Sequence, residues 1–284
     1  MKKIKKNSQV SLIAPCKINL NLHVGKRRSD GFHDIDSTFL ALEFGDKLKI
    51  GLQQRETTNC EDDNLVMQAI RSYQDKSAWN APLGVRLMKK TPMGAGLGGG
   101  SSDAASALLA MEALNTALNE KALGKEALLE MGLALGSDVP FFLKCYIEES
   151  NCAQVTGRGE HIEMLPAMTG FCVLLAMPEF TSSTVEAYKV LDAYRAARVG
   201  VGGFQTRPYD PHRNDFLPAL NQNGQYDEVL AALKDAGAVS VGLSGSGSCC
   251  FGIIPDVNYY QEKKHLTPLT KKLNFSILTR PMIS

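Results

Sequence analysis

The 284-residue chain carries almost no net charge, +1 at pH 7, which removes the electrostatic reason to expect nucleic acid or an anionic membrane surface as a partner. It has no run approaching the roughly twenty apolar residues that a membrane helix needs. The apolar stretch 10–14 is too short for a secretory signal core, and Pro15, Cys16 and Lys17 follow it directly. Export is therefore not expected, and a cytoplasmic location is. The seven cysteines (Cys16, Cys60, Cys145, Cys152, Cys172, Cys249, Cys250) are odd in number and form no C-x-x-C pair. This excludes a disulfide framework and predicts reduced, mostly buried thiols. No His/Cys cluster has zinc spacing, and the chain shows neither internal repeats nor low-complexity blocks. Lys2, Lys3, Lys5 and Lys6 make a basic start, read as a solvated tail.

The apolar fraction, 44%, is ordinary for a globular protein. The length exceeds what one small core needs, which predicts one large domain or two closely packed ones.

The chemistry-bearing feature is a glycine loop. Residues 92–106 read Pro-Met-Gly-Ala-Gly-Leu-Gly-Gly-Gly-Ser-Ser-Asp-Ala-Ala-Ser and run into an apolar-periodic segment ending near Leu114. Five of the seven residues from Gly94 to Gly100 are glycine, with Ala95 and Leu97 between them. Glycines remove the Cβ atoms that would hold an anion away from backbone amides, and the free N–H groups at a helix start carry partial positive charge. Three phosphate-loop patterns compete. A Walker A loop requires Gly-Lys-Ser/Thr, but Gly100 stands directly before Ser101 and no lysine lies within the loop. Gly94, Gly96 and Gly99 satisfy the dinucleotide pattern G-x-G-x-x-G, which needs a second strand ending in an acidic residue about twenty residues on. Here that stretch, 118–132, is rich in helix formers and has no β-branched run. What remains is a loop that holds nucleotide phosphate without a Walker lysine.

Hydrophobic periodicity predicts a strand over 11–24, with Ile18, Leu20 and Leu22 on one face and Lys17, Asn19 and Asn21 on the other. Further strands are predicted at 46–52, 83–89 and 171–177. Helices are predicted over 63–73, from the loop to about Leu114, over 125–134 and over 226–236. The stretch Gly136-Ser-Asp-Val-Pro reads as a turn, 154–160 as a glycine-bearing turn, 199–213 as an exposed Gly/Pro connection, and 239–254 as loop and strand around a second glycine run.

Five separated segments share an order: Ala14-Pro-Cys-Lys-Ile-Asn-Leu, Arg28-Ser-Asp-Gly-Phe-His, the loop Pro92 to Ser102, Gly136-Ser-Asp-Val-Pro, and Gly242-Leu-Ser-Gly-Ser-Gly-Ser. Together they resemble the GHMP small-molecule kinases, and within them the branch that phosphorylates diphosphocytidyl methylerythritol. The resemblance implies a two-domain α+β fold, with an N-terminal domain over 1–165 carrying the loop, a C-terminal domain over 166–284, and the active site in the cleft between them. It implies ATP as co-substrate with Mg2+, a small-molecule alcohol as acceptor, and a monomer or weak homodimer. No protein ligand for the ion is identified.

Site residues follow by their match to the family. Asp138 is the implied catalytic base and Lys17 its cationic partner, although by local sequence Asp138 is equally a turn aspartate and Lys17 a strand-surface lysine. ATP is implied to contact Pro92, Met93, Gly94, Ala95, Gly96, Leu97, Gly98, Gly99, Gly100, Ser101 and Ser102, together with Asn64, Leu65 and Lys89. Asn64 is also credible as a plain helix start. The acceptor is implied to contact Asn19, Phe32, His33, Tyr188 and Gly245, with His33 reading the base edge and Tyr188 stacking on it. Phe32 stands where family members often have tyrosine, so a hydroxyl is missing there. Two other activities compete: a related kinase acting on a sugar, homoserine or mevalonate derivative, and a nucleotide-binding regulator without turnover.

Overall fold

The computed structural model describes residues 8–119, 122–198, 213–255 and 275–282. The basic start and most of the Gly/Pro connection at 199–213 lie outside the described residues. In chain order the elements are β1 (Gln9–Asn19), β2 (His23–Arg27), β3 (His33–Leu52), β4 (Thr57–Thr58), α1 (Leu65–Ser77), β5 (Leu83–Met88) and α2 (Gly99–Asn119). Then come α3 (Lys125–Leu135), α4 (Val139–Ile147), β6 (Cys152–Gly157), β7 (His161–Leu165), β8 (Cys172–Met177), α5 (Thr184–Ala196), α6 (Phe216–Leu220), α7 (Asp227–Asp235), β9 (Ser240–Leu243), β10 (Cys250–Ile254) and β11 (Phe275–Thr279).

Two sheets organise the chain. The first, of seven strands, runs β4-β5-β3-β6-β7, with β1 and β2 also paired to β3; the second runs β11-β8-β10-β9. The long β3 is the hub, and only its C-terminal part has the alternation that the sequence reveals. Residues 37–42 are buried on both faces, which erases the period-two pattern. A bulge between Pro15 and Cys16 shifts the register of β1 against β3. Gly45 is required there, because a Cβ on it would meet Ala14 O at 1.8 Å.

The strand predicted over 11–24 is two strands. β1 ends at Asn19, and the chain leaves the ladder because Asn21 takes the place of a strand partner: its Oδ1 accepts Thr38 N–H at 2.8 Å. Leu22 then forms an isolated parallel bridge with Asn214 and joins the core of the second sheet with Val24. The turn expected at Gly136-Ser-Asp-Val-Pro is present, closed by Val139 N donating to Gly136 O at 3.2 Å, and it leads directly into a helix that was not expected, α4, with Pro140 in its first turn. Proline lacks an N–H that this position leaves unpaired anyway, and its fixed φ suits a helix start. The loop's helix runs past Leu114 because buried Asn115 donates to Tyr73 Oη at 3.1 Å, tying α2 to α1. Of the turn expected over 154–160, only 158–160 turn; 154–157 are the end of β6, paired to β7 in a hairpin.

Three cores hold these layers. One packs α1, α2, α3 and α4 on the first sheet, and one packs α5, α6 and α7 on the second. The third joins the sheets: Cys16, Ile18, Leu40 and Leu42 meet Val173, Leu175 and Phe251, with Ala95 and Leu97 from the glycine loop among them. The loop is thus anchored by two apolar side chains, Ala95 and Leu97.

Candidate active site

Between the sheets lies a cleft of about 690 Å³, lined from one end to the other by Asn64, Leu65, the loop from Lys89 to Ser101, Lys17, Asn19, Asp138, Gly245, Tyr188 and Phe216, among others. Gly94, Gly96 and Gly98 have φ of 65°, 75° and 67°, a left-handed conformation that glycine adopts without penalty. Left-handed residues alternating with others are the geometry of backbone anion nests. The loop then delivers the N-terminus of α2, whose amides add to the same field.

A second loop closes on the first. Ser244 Oγ donates to Gly96 O at 2.9 Å, and Cys249 N donates to Ala95 O at 3.2 Å. Asn214 braces this second loop through Leu243 O at 2.7 Å and Gly245 O at 2.8 Å. Gly245, with φ of 55°, faces Asn19: a Cβ on it would lie 3.6 Å from Asn19 Oδ1.

At the middle of the cleft stands an ion pair. Lys17 Nζ lies 3.7 Å from Asp138 Oδ2, donates to Asn19 Oδ1 at 2.8 Å, and sits 4.5 Å from the centroid of Phe39. Lys17 N also donates to Leu97 O at 2.9 Å, so the phosphate loop and the lysine share one backbone bond. Burial pulls the Lys17 ammonium below the ordinary lysine range, and Asp138 offsets part of that shift. Asp138 caps the start of α4 without bonding its amides, so its carboxylate faces Lys17 and the cleft.

The far end is aromatic. Tyr188 packs edge-on to Phe216, with centroids 4.9 Å apart. His33 stacks on Tyr188 at 4.9 Å and 28°, with Nδ1 on Gly25 O at 3.0 Å and Nε2 3.4 Å from Asp192 Oδ2. Phe32 is 56% exposed, beneath Arg158 at 5.3 Å.

The structure therefore gathers Lys17, Asn19, Asn64, Leu65, Lys89, Pro92 to Ser101, Asp138, Tyr188 and Gly245 around one cleft. Ser102, Phe32 and His33 are not among its lining. Ser102 is fully buried, because one helical residue beyond Ser101 turns it about 100° inward. His33 lies behind Tyr188, and Phe32 sits at the outer surface. Asn64 caps α1, its Oδ1 accepting Val66 N–H at 2.9 Å. Sequence reasoning missed Arg158, Asp103, Thr184 and Phe216, which also line the cleft, as does Ser246 of the second glycine run. Arg158 alone carried a signal, as the cation inside the Gly-Arg-Gly turn.

Residues 64–145 match the profile of the GHMP kinases N terminal domain, and residues 212–261 that of the GHMP kinases C terminal. A 4-diphosphocytidyl-2-C-methyl-D-erythritol kinase of Solidesulfovibrio magneticus is 40% identical over 269 residues, spanning 85% of this chain and 87% of its own. The chain belongs to the GHMP kinase family. A second relative of this GHMP kinase, the enzyme of the same name in Pseudomonas putida, is 35% identical over 257 residues, spanning 87% of this chain and 84% of its own. A crystal structure of 4-(cytidine 5'-diphospho)-2C-methyl-D-erythritol kinase superposes with a TM-score of 0.77 at 25% identity, over 96% of this chain and all (100%) of that one. Homoserine kinase from Cytophaga hutchinsonii, with a TM-score of 0.63 at 16% identity over 100% of this chain and 96% of its own, shares the fold. As a GHMP kinase, the chain takes ATP as co-substrate. Among the described residues no helix is long and apolar enough to cross a membrane.

Proposed function

We infer that this GHMP kinase transfers the γ-phosphoryl group of ATP to the 2-hydroxyl of 4-diphosphocytidyl-2-C-methyl-D-erythritol, in non-mevalonate isoprenoid precursor synthesis. The observation that carries this reading is the Lys17–Asp138 pair at 3.7 Å, standing in one cleft between an anion-binding loop and an aromatic wall. Phosphoryl transfer to an alcohol asks for positioning, charge neutralisation and a group that orients the hydroxyl proton. Asp138 accepts that proton as the acceptor oxygen bonds to the γ-phosphorus and the bridging oxygen to the β-phosphate departs. Lys17, held by Asn19, keeps the Asp138 charge compensated and faces the phosphoryl oxygens.

The amides of Gly94 to Gly100, with the Ser101 hydroxyl, hold the phosphates. Asn64 and Leu65 flank the purine end. Asn19 and Gly245 meet the acceptor near its reacting hydroxyl, and Tyr188 packs against its cytosine ring, backed by His33, which stacks on Tyr188 from outside the cleft lining.

Magnesium fits this donor set. Among the described residues no three acidic, His or Cys groups cluster, and Mg2+ is ordinarily held by one or two carboxylates plus substrate phosphates. Ser101, whose side chain lines the cleft beside the loop, would hold it with the substrate phosphates, and the ion would supply neutralisation of phosphate charge.

We also propose a division into domains at 1–165 and 166–284, supported by the first sheet ending with β7 and the second starting with β8. Free cysteines support a reducing, cytoplasmic location. The test of function is ADP release with Mg-ATP and diphosphocytidyl methylerythritol, with mevalonate and homoserine run beside it. Turnover on the cytidyl substrate alone is expected; turnover only on another alcohol would overturn the acceptor assignment.

A further inference from the structure

Lys89 precedes the glycine loop and reaches the cleft, which invites a direct role on ATP. Its ammonium is already committed. It is paired with Asp46 Oδ2 and lies 2.7 Å from Asp103 Oδ2. Asp46 is completely buried at 0% exposure, and its other oxygen accepts the amides of Lys90 at 2.5 Å and Thr91 at 2.7 Å. Asp46 belongs to β3, Lys89 to Thr91 to the entrance of the loop, and Asp103 to the first turns of α2. One lysine and two acids thereby tie both ends of the loop to the central strand.

We propose that Asp46 is a positioning residue for the nucleotide, acting through Lys89 and Asp103 as a strut that fixes the two ends of the phosphate cradle. Asp46 does not line the cleft, so it acts without touching ATP. The physical case has three parts. A loop with glycines at left-handed φ is intrinsically permissive, and its amides bind phosphate well only when their directions are fixed beforehand. The connection from Pro92 to Gly98 has little side-chain mass of its own to fix them. Removing one member of a buried charge pair leaves the others uncompensated, so the three groups act as a unit.

The electrostatics agree with the geometry. Desolvation draws the Lys89 ammonium down, and the two carboxylates outweigh it to leave it raised. The titratable groups facing this cluster are Cys60, beside Asp103 and Lys89, and Cys16, beside Asp46. Two acids sharing one ammonium make an arrangement that tolerates no further loss of positive charge.

The proposal rests on the loop being the ATP cradle of this kinase and is independent of which alcohol is phosphorylated. Its test measures ATP and acceptor KM, together with direct ADP titration, for Asp46→Asn, Asp103→Asn, Lys89→Met and the double variant Asp46→Asn/Lys89→Met. Asn at 46 keeps an oxygen for the two amides but presents a donor or a neutral group to Lys89. The expected result is a fall in kcat/KM for ATP on the order of a hundredfold, the scale of an ångström-size misplacement, in each single variant. Acceptor KM stays within about twofold, and the double variant is no worse than either single one, as for groups that act as a unit. If Lys89→Met loses ADP affinity while folded Asp46→Asn and Asp103→Asn retain it, Lys89 is a direct ligand and the strut is wrong. Equal rises in both KM values with a lowered melting temperature would also overturn it, as plain destabilisation. Should Asp46→Asn fail to fold, Asp103→Asn alone decides through the same split. Wild-type turnover on a different alcohol would change the function and leave these ATP readouts unaltered.

Discussion

Lys17 Nζ stands 3.7 Å from Asp138 Oδ2, joining a strand near the start of the chain to the residue that caps a helix near its middle. The pair is buried on the lysine side, at 6% exposure, and open on the aspartate side, at 26%. A proton acceptor thus faces the cleft while its counter-charge is locked beneath it. Asp138→Asn keeps the shape and removes the base. It is expected to lower kcat by about 10² to 10⁴, the range of general base catalysis, with ADP affinity measured by titration close to wild type. A variant with near-normal turnover would remove Asp138 from its role.

The depressed ammonium of Lys17 gives a pH dependence of defined sign. Activity that needs the charged lysine should decline at a pH below the roughly 10.4 of a free lysine. Stability moves oppositely. Between the folded and unfolded values the unfolded chain binds the proton and the folded chain does not, so stability rises with pH across that window. Lys17→Met should flatten the rise in a series of urea melts from neutral to alkaline pH, and an unchanged slope would contradict the shift.

Gly96 is where the two loops touch, and a Cβ on it would lie 2.2 Å from Ser244 O. Alanine there also carries a left-handed φ that costs roughly 1–2 kcal/mol. Gly96→Ala should reduce kcat/KM for ATP by about tenfold or more, since 1.4 kcal/mol is a factor of ten. Gly94→Ala, which meets no atom within 4 Å but shares the positive φ, should do less. Initial-rate kinetics on both variants checks the ranking.

Tyr73 donates to Glu112 Oε2 at 2.5 Å, and Glu112 also accepts the amides of Leu123 at 3.0 Å and Gly124 at 2.9 Å. This network sits away from the cleft. Tyr73→Phe is expected to cost about 1–3 kcal/mol, the penalty of an orphaned buried partner, read from denaturant midpoints, while turnover stays at the wild-type level.

All seven cysteines are free, and six are buried while Cys60 is partly exposed. Burial pushes the thiols of Cys16, Cys145, Cys152, Cys249 and Cys250 up, that of Cys249 to about 12. In the native protein a thiol reagent should therefore label Cys60 first, with the others reacting only on unfolding. Mass spectrometry of the labelled peptides would show a different order if the burial were misassigned.

The phosphate loop was legible because its signal is local: glycines, Ser-Ser-Asp and a helix-forming run stand together in fifteen residues, 92–106. The shared face of Lys17 and Asn19 was legible too, since strand periodicity fixes it, and their 2.8 Å bond follows. The long β3 was not, because burial on both faces removes alternation. The helix α4 was hidden by Pro140, which reads as a breaker unless its place in the first turn is known.

What the sequence by itself determined is the set of local conformations and the chemical groups: a phosphate loop, a lysine on a strand face, reduced thiols, and a chain with no charge bias. Only the tertiary structure decided which groups meet. The inter-sheet core of Ile18, Leu40, Val173 and Phe251 brings the two glycine loops into contact, places Asp138 over Lys17, and turns His33 behind Tyr188. It also hands the Lys89 ammonium to Asp46 and Asp103, whose carboxylates lie on separate elements. Contacts between residues far apart in the chain depend on how apolar faces pack, and that packing is a property of the whole chain and not of any one segment.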